Sequence, residues 1–126
     1  MSTLEIGLTH TSSLLVDQSH TAIAMASGDM EVLATPAMMA LMENAAMMAV
    51  ADAIPKESTT VGAHIESSHL RPTSCGHKIA ATAVLIKIEG PKLFFNVTAI
   101  DDSGNIIGQG THLRFIVNKA KFLSRL

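Results

Sequence analysis

A chain of 126 residues suits one domain and is long enough to bury a real core. Apolar residues make up 48% and charged residues 16%, which excludes disorder as the main state. The net charge of −2, with no basic block and no Trp or Tyr, argues against nucleic acid as a partner.

The one cysteine, Cys75, forbids an internal disulfide and fits a reducing compartment, so a cytoplasmic location is expected. The first residues lack a basic stretch followed by an apolar run, so no signal peptide is read there.

Residues 4–16 are partly alternating and rich in Thr and Ser, a weak strand signal. Residues 17–31 are irregular, with Ser27-Gly28-Asp29 as a loop signal. A long helix follows. Thr35 is a good N-cap and Pro36 a good first helical residue. Ala, Leu and Met dominate up to about Ala53, and Pro55 ends the pattern. Such a helix runs roughly 18 residues, or about 27 Å. Between Pro36 and Ala51 only Glu43 and Asn44 are polar, so the helix is expected to be buried on nearly every side. A mid-helix carboxylate at the centre of a bilayer is costly, so a membrane span is not expected.

Four strand-like runs come next, over residues 60–70, 78–88, 93–100 and 106–117. Glu89-Gly90-Pro91 and the segment 101–105 read as hairpin turns. An antiparallel sheet of about five strands curled around one long central helix satisfies this order, an α+β arrangement. No repeat or linker divides the chain, so residues 1–126 are expected to form a single domain.

The chemistry centres on Glu43. Its helical neighbours are Met39, Ala40, Ala46 and Met47, with no cation in reach along the helix. A buried acid is costly unless something compensates it. A general base or nucleophile is one reason for such a group; a structural hydrogen-bond acceptor at an interface is the other. His69 shares a face with Val61, Ala63 and Ile65 by period-2 counting, and that face is expected to look toward the helix and Glu43. Thr35 serves first as a cap, but a helix start also offers N–H donors to an oxyanion. Thr35 and Glu43 lie about 12 Å apart along one helix and cannot touch within it. They can meet if two copies of the helix lie antiparallel across a two-fold axis, so a dimer with composite sites is expected.

Other groups carry less. The histidines show no metal-ligand spacing, and no metal or cofactor is expected. Cys75 and His77 share a loop without an orienting third group. Gly108 and Gly110 share a strand face with His112 and Arg114, where Arg114 is either an anion contact or an exposed strand residue. Lys119, Lys121 and Arg125 form a mild basic tail, open to phosphates or simply solvated.

Several segments in order carry a resemblance: Ser27 to Pro36 (SGDMEVLATP), Ala40 to Ala46 (ALMENAA), Thr59 to Gly62 (TTVG), His69-Leu70, and Gly108 to Arg114 (GQGTHLR). On these the chain resembles hotdog-fold acyl-CoA thioesterases, most closely the fluoroacetyl-CoA thioesterase-like branch. The resemblance implies a hotdog domain, a homodimer with sites at its interface and the option of a tetramer, and hydrolysis of a small or medium acyl-CoA. It implies catalytic roles for Thr35, Glu43 and His69, with Glu43 as base or nucleophile, and substrate contacts for Gly62 and Arg114. The fluoroacetate-specific enzyme is similar but has phenylalanines before the helix. Residues 25–32 here hold no aromatic, which argues against fluoroacetyl-CoA as the natural substrate. A non-catalytic acyl-CoA-binding or sensing module on the same fold, or a plain dimeric interaction domain, is the alternative.

Overall fold

The computed structural model describes residues 2–126. Its elements run β1 (Thr9–Leu15), α1 (Thr35–Val50), β2 (Ser58–His69), β3 (Lys78–Glu89), β4 (Lys92–Asp101), β5 (Ile106–Asn118) and α2 (Lys119–Ser124). The five strands form one antiparallel sheet in the order β1-β3-β4-β5-β2, leaving β1 and β2 as edges. The expected strand, helix and four further strands are all present, but the four do not form one meander: β3, β4 and β5 pair in succession, while β2 crosses to the far edge and pairs with β5. The basic tail forms the short helix α2, which the sequence reading did not place, with Asn118 accepting from the Lys121 N–H as its cap.

Alternation builds the core. Ile79, Ala81, Ala83 and Leu85 of β3 and Leu93, Phe95, Val97 and Ala99 of β4 are almost fully buried, while their neighbours in sequence are more exposed. The small Ala side chains let α1 lie close on β3, and Ala37, Met38, Met42, Ala45, Ala46 and Val50 fill that interface. The flexible thioethers adapt to a surface that alternates small and large groups.

Three sequence expectations change. The helix cap is Ala34, with no side-chain bond, and Thr35 is already helical. The helix ends at Val50, and a single 3-10 turn, Ala51–Ala53, carries the chain toward Pro55. Nor is α1 buried all round: Pro36, Ala40, Asn44 and Met48 form an exposed stripe, spaced four residues apart. No helix among the described residues is long and apolar enough to cross a membrane.

Strand β2 departs from simple alternation. Its register against β5 shifts between Gly62 and His64, so Ala63 is an extra residue. Thr60 and Gly62 therefore face inward before the bulge, and Ile65 and His69 after it. Val61 and Ala63 do not share the His69 face, which corrects the period-2 reading. Further along, β5 passes so close to β2 that a Cβ on Gly110 would fall 1.8 Å from the Glu66 carbonyl oxygen. Only glycine fits there.

Candidate active site

Helix α1 runs antiparallel to β2, so two groups of side chains form at opposite ends of that pairing. At the helix start, Thr35 Oγ1 and His69 Nδ1 share a hydrogen bond of 2.6 Å. Freed from capping, the Thr35 hydroxyl is available to a site. Pro36 has no N–H, and those of Ala37 and Met38 are taken by the Ala34 carbonyl at 3.1 and 3.2 Å. The expected amide donors are thus largely occupied, and the hydroxyl is the donor that this end offers. The His69 Nε2 atom is buried with no partner among the described residues. Burial lowers the pKa of His69, against a smaller opposing effect of the Arg71 backbone, and favours a neutral ring.

Two turns on, Glu43 meets β2 and β5. Gly62 is the hub. The point where its Cβ would sit is 3.1 Å from Glu43 Oε2, 3.3 Å from His112 Cε1 and 3.4 Å from Arg114 Nη1. Glu43 is half-buried, whereas His112 is 2% and Arg114 7% exposed. The cation missing from the helix is therefore supplied by β5. Arg114 reaches inward because Gly108, Gly110, His112 and Arg114 do share a face.

The hydrogen bonds around Arg114 fix its orientation. Its Nε donates to Thr60 Oγ1 and its Nη2 to the Thr60 carbonyl, both at 2.8 Å. Its Nη1 lies 3.2 Å from His112 Nε2. Arginine only donates, so Nε2 must accept. His112 Nδ1 then carries the ring proton and donates to the His64 carbonyl at 2.7 Å. Burial lowers the His112 pKa, and the His64 bond and the Glu43 charge work the other way. Burial also lowers that of Arg114, with Glu43 opposing. Glu43 itself forms no ion pair among the described residues.

Within one chain, then, Thr35 meets His69, and Glu43 meets Gly62 and Arg114. The expected His69–Glu43 pairing does not form. His112 and Thr60 were missed by sequence reasoning: His112 was weighed only for metal spacing, although its shared face with Arg114 was a usable signal. A cleft of about 360 Å³, lined by Met47, Ile54, Lys56, Thr60 and Lys119 among others, adjoins this second group through Thr60. Such a set holds an acceptor carboxylate and a pinned cation, with a cleft nearby at Thr60. It suits acid–base or nucleophilic work on a polarised carbonyl.

Comparison with known proteins agrees with this chemistry. Residues 16–120 match the family described as fluoroacetyl-CoA-specific thioesterase. The fluoroacetyl-CoA thioesterase of Streptantibioticus cattleyicolor is 34% identical over 96 residues, 76% of this chain and 68% of that protein. A solved structure of a fluoroacetyl-CoA thioesterase superposes with a TM-score of 0.91 at 28% identity, covering 98% of this chain and 96% of that one. A hot-dog-like protein from Thermanaerovibrio acidaminovorans shares the fold at 22% identity, with a TM-score of 0.84 over 95% and 88% of the two chains. The chain has the hotdog fold and belongs to the fluoroacetyl-CoA-specific thioesterase family.

Proposed function

We propose that this protein, acting as one domain in a cytoplasmic homodimer, hydrolyses a small or medium acyl-CoA to the carboxylic acid and free CoA. The observation that carries this reading is the Glu43 carboxylate oxygen, which faces the space left by Gly62 while Arg114 stands beside it. No cofactor enters the reaction. Water or Glu43 itself adds to the thioester carbonyl. In the first route Glu43 takes the proton of the attacking water. The tetrahedral intermediate then collapses, expelling the CoA thiolate, and the proton passes to that sulfur directly or through His69. In the second route Glu43 adds to the carbonyl and the C–S bond breaks, leaving an anhydride; the expelled CoA thiolate takes up a proton, and water then hydrolyses the anhydride to the acid and free Glu43. The Thr35 hydroxyl donates to the developing oxyanion in either case.

The dimer supplies the geometry. Thr35 and Glu43 stand eight residues apart on one helix, about 12 Å. A second copy laid antiparallel along the exposed Pro36, Ala40, Asn44 and Met48 stripe brings its Thr35 and His69 to this chain's Glu43. The absence of aromatics in residues 25–32 supports an acyl group other than fluoroacetyl.

Subunit mixing tests the composite site. Glu43→Ala and Thr35→Ala are each expected to lose thiol release over a panel of acyl-CoAs. Mixed one to one, unfolded and refolded together, half of the dimers are hybrids with one intact site of two. About a quarter of wild-type activity should therefore return. No recovery, with hybrids confirmed by mass, would refute shared sites. Full hydrolysis by Glu43→Ala alone would refute the role of Glu43.

A further inference from the structure

The structure assigns His112 a positioning role in this site: it holds the Arg114 guanidinium beside Glu43 and out of a closed ion pair with it. The assignment rests on the reading of Glu43 as the reacting carboxylate.

The chain of constraints starts at the bulge. The extra residue Ala63 shifts β2 by one place against β5, pairing Gly62 with Arg114 but His64 with Leu113. The His64 carbonyl accepts from His112 Nδ1 there, although the His64 side chain itself is exposed. That bond fixes the tautomer, and the tautomer makes Nε2 an acceptor. Nε2 then takes one Nη1 proton of Arg114, while Thr60 takes Nε and Nη2. Each guanidinium nitrogen is held. The cation sits near Glu43 without reaching its oxygens.

A nearby but unclosed cation leaves the oxygen lone pairs of a reacting carboxylate free for water or a carbonyl carbon, which a bidentate arginine fork would occupy. Without His112, one corner of Arg114 is released, and the freed Nη1 has Glu43 as its nearest anion. The groups facing His112 are His64 on β2, Glu43 on α1, Arg114 on β5 and the Phe95 ring of β4, 6.3 Å between centroids. Glu43 is the one carboxylate in that set.

Two substitutions separate the prop from the packing. In His112→Asn the amide nitrogen takes the place of Nδ1 and keeps the His64 bond, while nothing stands at Nε2. In His112→Gln the longer side chain puts an acceptor oxygen near Nε2, so it should rescue. The measurements are the Arg114–Glu43 separation in crystals of each variant, the kcat and KM for an acyl-CoA that the wild type turns over, and the melting temperature. His112→Asn should bring Arg114 Nη1 to hydrogen-bond distance of a Glu43 oxygen and lose at least tenfold in kcat with KM within threefold. His112→Gln should keep the separation and kcat near wild type. An Arg114 that stays in place in folded His112→Asn overturns the assignment. So does equal impairment of both variants in step with their melting temperatures. The crystals need no turnover, so a wild type inert toward every acyl-CoA would count against the proposed reaction and leave the test of His112 intact.

Discussion

Gly62→Ala places one methyl group at the hub of the site. The backbone tolerates it, since Gly62 is not among the glycines with positive φ. The new Cβ would meet Glu43 Oε2 at 3.1 Å, His112 Cε1 at 3.3 Å and Arg114 Nη1 at 3.4 Å. Comfortable separations begin near about 3.5 Å, so something must move by a few tenths of an ångström. His112 and Arg114 are tied by hydrogen bonds to His64 and Thr60. Glu43 is the free member and is the group displaced. Overpacking costs about 1–3 kcal/mol, and the loss of glycine entropy in the unfolded chain returns about 0.4–1 kcal/mol. A net loss of about 1 kcal/mol corresponds to a fall of roughly 4 °C in melting temperature for a domain of this size. The effect on rate should be far larger. The methyl occupies the place where a carbonyl would approach, and misplacing a reacting group by about 1 Å costs on the order of 10²-fold. Thiol release with a chromogenic trap, run beside thermal melts, reads both. A kcat within threefold of wild type would refute the claim that the space beside Gly62 is where substrate and carboxylate meet.

Thr35→Val keeps the shape of the side chain and deletes its hydroxyl. Because Ala34 occupies the cap position, stability should fall by only about 0.5–1.5 kcal/mol, the worth of the His69 hydrogen bond. Activity should fall on the order of 10²-fold or more, as for loss of an oxyanion donor. A large drop in melting temperature with near-normal kcat would restore the capping role. Stability should also depend on pH through His69 and His112. Burial lowers both pKa values below the ordinary 6.5. The unfolded chain then binds more protons, so stability is complete above about pH 6.5 and is lost as the pH falls through the folded values. The slope is at most about 1.4 kcal/mol per pH unit for each histidine. Urea midpoints from pH 8 to pH 5 measure it, and a flat profile would contradict buried neutral rings.

The fold was legible because its signals are local. The methionine and alanine run between two prolines has one good solution, a helix, and the meander carries its own turns: Gly90 and Gly104 both adopt positive φ between strands. Membership in the hotdog thioesterases was legible for another reason, the order of five short segments rather than the strength of any one. Less local features failed. A threonine before a proline looks like a cap, and only the path of the preceding chain shows that Ala34 takes that place. The helix was expected to be buried throughout, because composition says that a surface is apolar without saying what covers it. One flank lies on β1 and β3, and the stripe from Pro36 to Met48 stays open to whatever packs there.

The site was half legible, and one residue divides the halves. Period-2 counting is correct on β5 and brings Arg114 inward beside His112. On β2 it fails at Ala63, since a single extra residue exchanges the two faces of everything beyond it. Gly62, inside the strand pattern and next to the extra residue, was the one local signal of a bulge, and period-2 counting passed over it. That same irregularity does chemical work here. A regular β2 would carry His69 on the face opposite Gly62, because seven residues separate them. It would also lack the shifted His64 carbonyl that fixes the His112 ring. With the bulge, one strand presents Gly62 to Glu43 and His69 to Thr35 on one inner face. In the proposed dimer both halves of the site would thus come from α1 and β2 of each copy, with Arg114 and His112 added from β5. The lone acid in an apolar helix is explained by contacts the helix cannot encode. Its cation stands 71 positions further along the chain, held in place by a backbone irregularity on a third element.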